Sequence, residues 1–263
     1  MFHAHFYGSW KPKVQNIDSL AKAKNWIYGK GKQILKRQFG LTTVDKKYFM
    51  KANEVVDYLQ RKGLKIEVVY DIGAYVGDWT LQLTSFHPNV SAILFEPNTL
   101  HNQNLRKVSQ NVYNVLLGSK DIELPFYSIG GTGDSVFLEN TEHYKGIEPI
   151  IVRTTTLDHL VARDKLRLPD LVKIDCQGSE AEIILGGAKV LKHAKALIVE
   201  TSLFELNTGG SRIESILDVS RKLGFSPIAI AGCNFRNEEL VQIDLVLFNT
   251  SHSQNDKANS QVR

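Results

Sequence analysis

At 263 residues, with 43% hydrophobic and 23% charged side chains, the chain has ordinary globular composition and length for one large domain or two small ones. A disordered or collagen-like chain is excluded, and an integral membrane protein is not expected, because no apolar run approaches the ~18 to 20 residues of a spanning helix. The net charge of +4 hides an asymmetry: residues 11–51 hold eleven Lys and Arg against Asp18 and Asp45, so that segment is +9 and the remainder −5.

The first ten residues mix His, Tyr, Gly and Ser with aromatics and lack the apolar stretch of a secretory signal, so a cytoplasmic location is expected. In the basic segment Leu20, Ala23, Ile27, Ile34 and Leu35 recur near helical spacing, interrupted by Gly29 and Gly31. Residues 1–60 therefore read as a basic helical extension. Two readings of its charge stay open, peripheral contact with an anionic membrane or a solvated helical face. It carries no pattern of an RNA-binding sheet, and nucleic acid is not expected as a partner.

From about residue 65 short β-branched runs alternate with amphipathic stretches, as in a parallel sheet with helices on its faces. Strands are predicted at 66–72, 91–96, 112–117, 171–175, 196–200, 226–231 and 241–248, with an insertion hairpin from 124–128 and 150–154. Ser179 with Glu182 and Ser211 with Glu214 fit the S-x-x-E capping box ahead of two helices, the second ending at Gly224. Only about nine residues, 232–240, separate the last two strands, too few for a parallel crossover, so they must pair antiparallel. Residues 61–249 thus form one domain: a seven-stranded, mostly parallel Rossmann-like α/β sheet with a C-terminal antiparallel hairpin and helices on both faces. Residues 250–263 form a polar tail. Cys176 and Cys233 cannot make a disulfide framework, match no zinc spacing and read as small buried hydrophobes; no metal ligand set is read.

Asp71-Ile-Gly-Ala-Tyr-Val-Gly77 joins a buried strand to a helix, and its two glycines let backbone N–H groups approach a ligand closely. Glu96 ends the second strand about 20 residues beyond, the position that grips ribose hydroxyls, and a bidentate ribose contact is expected there. Asp71 is read either as a hydrogen-bond acceptor for the cofactor or as a clamp on its own loop. Further along, Lys173-Ile-Asp-Cys-Gln177-Gly-Ser-Glu180 and Glu200 close the fourth and fifth strands on the same crevice. Asp175, Glu180 and Glu200 are the candidates for holding an acceptor hydroxyl or taking its proton, and Lys173 for neutralising a carboxylate or lining the sheet. His143, in a 130–144 insertion expected to form part of a lid, is the alternative base.

Taken in order, Asp71-Ile-Gly-Ala-Tyr-Val-Gly77, Leu94-Phe-Glu-Pro97, Asn114-Val-Leu-Leu-Gly118, Thr155-Thr-Leu-Asp158, Val172-Lys-Ile-Asp175 with Gly178 and Glu180, and Ile198-Val-Glu200 resemble the FkbM family of S-adenosylmethionine-dependent methyltransferases. The resemblance implies a class I methyltransferase fold and methyl transfer to a hydroxyl. The acceptor it implies is a small molecule or glycan, such as a sugar in surface polysaccharide or glycolipid biosynthesis, or a secondary metabolite. On this reading S-adenosylmethionine is held by Asp71, Gly73, Ala74, Tyr75 and Gly77 of the loop, with Thr80 behind it. Glu96, Pro97 and Asn98 follow from the second strand end and Leu117 from the third. Two positions depart from the family pattern: Tyr75 stands where Asn is usual, and Cys176-Gln177 where Val-Glu is usual. The rival readings are a nicotinamide-dependent oxidoreductase acting on sugar hydroxyls, which would share the glycine loop and Glu96, and a non-catalytic binding protein on the same fold.

Overall fold

The computed structural model describes residues 50–131, 133–138, 144, 146–236 and 238–253. The expectations for residues 11–49, for His143 and for 254–263 lie outside these. The chain enters through helix α1 (Ala52–Arg61), whose apolar positions Val55, Val56 and Leu59 recur three to four apart and are all buried. The boundary expected between residues 60 and 61 falls at the last turn of this helix, which packs on the sheet.

Strand β1 (Val68–Ile72) is buried at every position and passes through the glycine loop into α2 (Asp78–Phe86). There follow β2 (Ser91–Phe95), α3 (Asn102–Val108), β3 (Val112–Tyr113), β4 (Leu116–Leu117), β5 (Glu123–Phe126) and β6 (Ile150–Thr155). Next come α4 (Leu157–Asp164), β7 (Leu171–Ile174), α5 (Glu180–Gly186), α6 (Ala188–Leu191) and β8 (Ala196–Ser202). Helix α7 (Ile213–Lys222) leads to β9 (Phe225–Arg236) and β10 (Glu239–Asn249). Seven strands form one sheet in the order β3-β2-β1-β7-β8-β10-β9, parallel as far as β8 and antiparallel at β8/β10 and β10/β9. Continuous apolar runs such as Val-Val-Tyr and Ala-Leu-Ile-Val suit strands covered on both sides. One face packs on α4, α5 and α7 through Leu157, Leu160, Ile183, Ile184 and Ile216, the other on α1 and α2 through Val55, Leu59 and Leu83. Among the described residues, no helix is long and apolar enough to cross a membrane.

Three local expectations change. The run 112–117 is two strands: β3 continues the main sheet beside β2, whereas β4 turns away to pair with β6. The break lies at Asn114, whose amide donates to the Glu96 carbonyl (2.9 Å), occupying an acceptor at the end of the β2 edge. The segments 124–128 and 150–154 do pair antiparallel as β5/β6, and β4 makes that sheet three-stranded. The antiparallel C-terminal pair forms, but its strands run to Arg236 and Glu239 around two residues in place of a nine-residue loop, with three register irregularities along the ladder. Polar residues such as Asn234 and Gln242 lie inside these strands because a ladder needs only backbone groups.

Neither capping box forms. Ser179 has φ −92° and ψ 3° and makes no cap bond, while Glu182 bonds the Ser119 hydroxyl. The Ser211 hydroxyl instead accepts from Ala181 N–H (3.0 Å), in the first turn of α5, so a serine 30 residues away caps the helix that Ser179 precedes. Helix α7 starts after Arg212, whose N–H donates to Ser215 Oγ (3.1 Å). Its expected end at Gly224 stands: Gly224 has φ +91° and donates to Arg221 O (3.0 Å).

Candidate active site

A cavity of about 590 Å³ opens beyond the carboxyl ends of β1, β2, β7 and β8, where ligands of open α/β sheets bind. The β9–β10 hairpin and residues 131 and 133–136 supply further wall.

At one end the backbone is drawn tight. Gly73 has φ +79°, its N–H donates to Phe95 O (2.9 Å), and a Cβ added there would lie 1.9 Å from the Asp175 carbonyl oxygen. The two loops that build the site thus touch through this glycine. Tyr75 also lies in left-handed space (φ 49°), held by its N–H to Glu96 Oε2 (2.8 Å) and by its ring against His101, centroids 4.5 Å apart. An Asn adopts that conformation readily, which is the physical sense of the residue usual at this position. Glu96 is 5% exposed, and its other oxygen accepts from Asn98 N–H (2.9 Å). Both carboxylate oxygens therefore already carry a backbone bond, and a ribose diol would have to use the remaining lone pairs. Burial pushes the Glu96 carboxyl up to about 7 in spite of these two amides, with the charges of Asp134 and Asp71 adding to the rise.

Gly73, Ala74, Tyr75, Glu96, Pro97 and Leu117 line the cavity, whereas Asp71, Gly77, Thr80 and Asn98 do not. Asp71 is fully buried, accepts from Thr80 Oγ1 (2.6 Å) and lies in register with Lys173, so it clamps the loop to the helix behind it. Its second oxygen has no protein partner, and burial raises its pKa against the pull of Lys173. Gly77 forms the left-handed entry to α2. The Asn98 amide donates to Ser128 Oγ (3.1 Å) and Asp134 Oδ2 (2.7 Å), and Asp134 Oδ1 receives the N–H of Ile129 (2.7 Å) and Gly130 (3.2 Å). Asn98 is thus a tie between the second strand end and the insertion.

At the other end Lys173, Asp175, Gln177 and Glu200 converge. Lys173 Nζ donates to Asp175 Oδ2 (2.7 Å) and sits 5.9 Å from the Trp79 ring centroid. Burial alone would lower the Lys173 pKa, but the charges of Asp175 and Asp71 raise it. Burial likewise opposes ionisation of Asp175, yet the Lys173 charge and the hydrogen bonds from Lys173, Glu200 and Gln177 hold it below the usual carboxylate range. Glu200 moves the opposite way, driven up by burial and then by the charges of Asp175 and Glu180. Within the pair, ionisation is thus favoured on Asp175 and protonation on Glu200. Glu180, expected as a third catalytic carboxylate, is set apart from the other two: at 2% exposure it accepts from Cys176 N–H and Gly178 N–H (both 3.0 Å), does not line the cavity, and is raised by burial to about 7. Both cysteines are half-buried free thiols, less buried than expected, and Cys176 lines the cavity.

Sequence reasoning missed Trp79, Asp134, Ser135, Asn234, Phe235, Arg236 and Gln242, all on the cavity wall. Amide residues inside an otherwise β-branched run were the available signal for the hairpin positions. Asp134 and Ser135 had none, since their place depends on how the insertion folds back. The donor set suits the adenosyl cofactor implied by the resemblance: a buried carboxylate for vicinal hydroxyls, apolar Phe95, Leu116, Leu117 and Phe126 for a base, and anionic Asp175 for a sulfonium.

Residues 71–227 match the family described as Methyltransferase FkbM domain. A 2-O-methyltransferase, NoeI, from Sinorhizobium fredii is 24% identical over 170 residues, 58% of this chain and 70% of its own. The structure of the methyltransferase FkbM from Methylobacillus flagellatus KT superimposes with TM-score 0.44 at 16% identity, over 72% of this chain; the match spans 46% of that longer chain. Magnesium protoporphyrin IX methyltransferase from Synechocystis PCC 6803, solved with bound S-adenosylmethionine, superimposes with TM-score 0.42 at 13% identity, over 90% of this chain and 100% of its own.

Proposed function

Since the chain belongs to the FkbM methyltransferase family, whose members draw their methyl group from S-adenosylmethionine, we propose that it is an O-methyltransferase acting on a sugar hydroxyl. The observation that carries this reading is one cavity holding, at separate strand ends, the buried diol-matching Glu96 and the Asp175–Glu200 carboxyl pair. A hydroxyl needs somewhere to send its proton, and the pair offers it. A relative named for 2-O-methylation supports transfer to oxygen. An acceptor rich in hydroxyls suits a wall bearing Asn234 and Gln242 beside the exposed face of Phe235.

The cofactor supplies an already activated methyl group on a sulfonium centre. What the protein adds is alignment, exclusion of water and a destination for the proton. Asp175, kept ionised by Lys173, is a weak base but a good hydrogen-bond acceptor, so it orients the hydroxyl first. A hydroxyl held there would grow acidic as it accepts the methyl group, and Asp175 would receive its proton. Gly133 to Val136 of the insertion, tied to the cofactor side by Asp134 and Asn98, cover that side of the cavity.

Calorimetry with S-adenosylhomocysteine, followed by a mass-shift screen of methyl glycosides with S-adenosylmethionine, tests the proposal. Binding together with transfer to a glycoside hydroxyl is expected. Binding without transfer to any of them would favour the non-catalytic reading.

A further inference from the structure

We propose that Gln177 is a positioning residue that holds the Asp175 and Glu200 carboxyls together as one proton-sharing unit. This rests on the reading of that pair given above, and it assigns a task to a cavity-lining side chain that the proposed function left without one. The Gln177 amide nitrogen donates to Glu200 Oε2 (2.8 Å) and to Asp175 Oδ1 (3.3 Å), so its two hydrogens span the two acids. Its backbone is unusual for a side-chain-bearing residue, with φ 50°, and Gly178 follows at φ 107°. That left-handed pair lifts the amide off the end of β7 and across to β8. The carbonyl of Gln177 accepts from Ser135 Oγ (2.7 Å), and Ser135 Oγ also accepts from Phe137 N–H (3.0 Å), so the insertion pins the strained turn from outside.

The chemical requirement is plain. Two carboxyls this close repel when both are ionised. Glu200 faces Asp175 and Lys173 from β7, Glu180 from the start of α5 and Asp244 from β10, its register partner. Lys173 stands among these acids, and its hydrogen bond goes to Asp175. Glu200 receives its neutral donor from Gln177. An amide is suited to this because it donates to both acids without adding charge, whatever their protonation. A carboxylate at position 177 would add a further negative charge to the cluster.

The test is a side-chain carboxyl titration by carbon-13 NMR on the full chain saturated with S-adenosylhomocysteine, comparing wild type, Gln177→Met and Gln177→Glu. Met preserves length and removes both donors. The expected result is a Glu200 titration displaced upward by about one pH unit in Gln177→Met, and further in Gln177→Glu, with nucleoside affinity within about twofold of wild type. A Glu200 titration unmoved in both variants, with binding and backbone spectra intact, overturns the proposal. Where Gln177→Met does not fold, Ser135→Ala serves: releasing the Gln177 carbonyl should displace the Glu200 titration upward by a smaller amount, and an unmoved titration again overturns the assignment. Since no methyl transfer is measured, failure here is separate from failure of the wild-type glycoside screen.

Discussion

Glu96 and Asp175 are both buried acids at strand ends, yet their surroundings drive them in opposite directions. Glu96 is hydrogen-bonded by two backbone amides and faces the charges of Asp134 and Asp71, so burial wins and its carboxyl sits near 7. Contact with ribose hydroxyls favours the ionised form, so S-adenosylhomocysteine should bind more tightly as pH rises through about 7 and level off above it. Glu96→Ala should weaken binding at least about tenfold and remove that pH dependence. Calorimetry at several pH values decides both, and unchanged affinity would remove the ribose assignment. Asp175 has Lys173 in direct contact and stays charged. Asp175→Asn should leave nucleoside affinity within about twofold while lowering turnover by about a hundredfold. It also leaves Lys173 with the more distant Asp71 and Asp244, so thermal stability should fall as well. An equal loss of binding and turnover would make Asp175 structural.

At the scale of elements, the two helices that the capping pattern marked exist, but their ends are satisfied by distant groups. A serine followed three residues later by glutamate caps its own helix only if its backbone is extended, and after Gly178 the chain at Ser179 is not. Ser211 crosses to α5 because the 207–211 turn packs on Gly178, where Gly210 Cα would stand 3.2 Å from an added Cβ. Ser211→Ala should therefore cost about 1 kcal/mol. Hydrogen exchange should quicken at the first turn of α5 and not at α7; the reverse pattern would restore the local capping reading. The hairpin shows the same limit. Its antiparallel sense followed from chain length alone, whereas its extension to Arg236 and Glu239, which carries Asn234 and Gln242 to the cavity, depends on bulges that leave no periodic signal.

For the whole molecule, the buried acids couple stability to pH. Glu96 and Glu180 each have carboxyls near 7 in the folded protein against 4.5 as reference, so the folded state binds more protons between those values. Their contribution to stability is greatest below about 4.5 and declines as pH rises to about 7, by up to about 3 kcal/mol for each. Glu180→Gln should flatten this slope relative to wild type in chemical denaturation at pH 5 and pH 7. An identical slope would mean that its carboxyl does not titrate in this window.

The sequence by itself determined the fold class, the order of the strands along the chain, the glycine loop and the family, because these rest on periodicity, local spacing and motifs that survive without contacts. It also brought Asp175, Glu200 and Glu96 to strand ends, where a parallel sheet must open its crevice. Only the tertiary structure decided which acids line the cavity and which turn away from it. Glu180 and Asp71 sit in the same motifs, yet their carboxyls turn inward to clamp backbone and hydroxyl. Gln177, marked in the chain as a departure from the family pattern and nothing more, meets Ser135 across 42 residues to steady the carboxyl pair. Burial and charge are properties of neighbours in space, and a linear pattern does not record them.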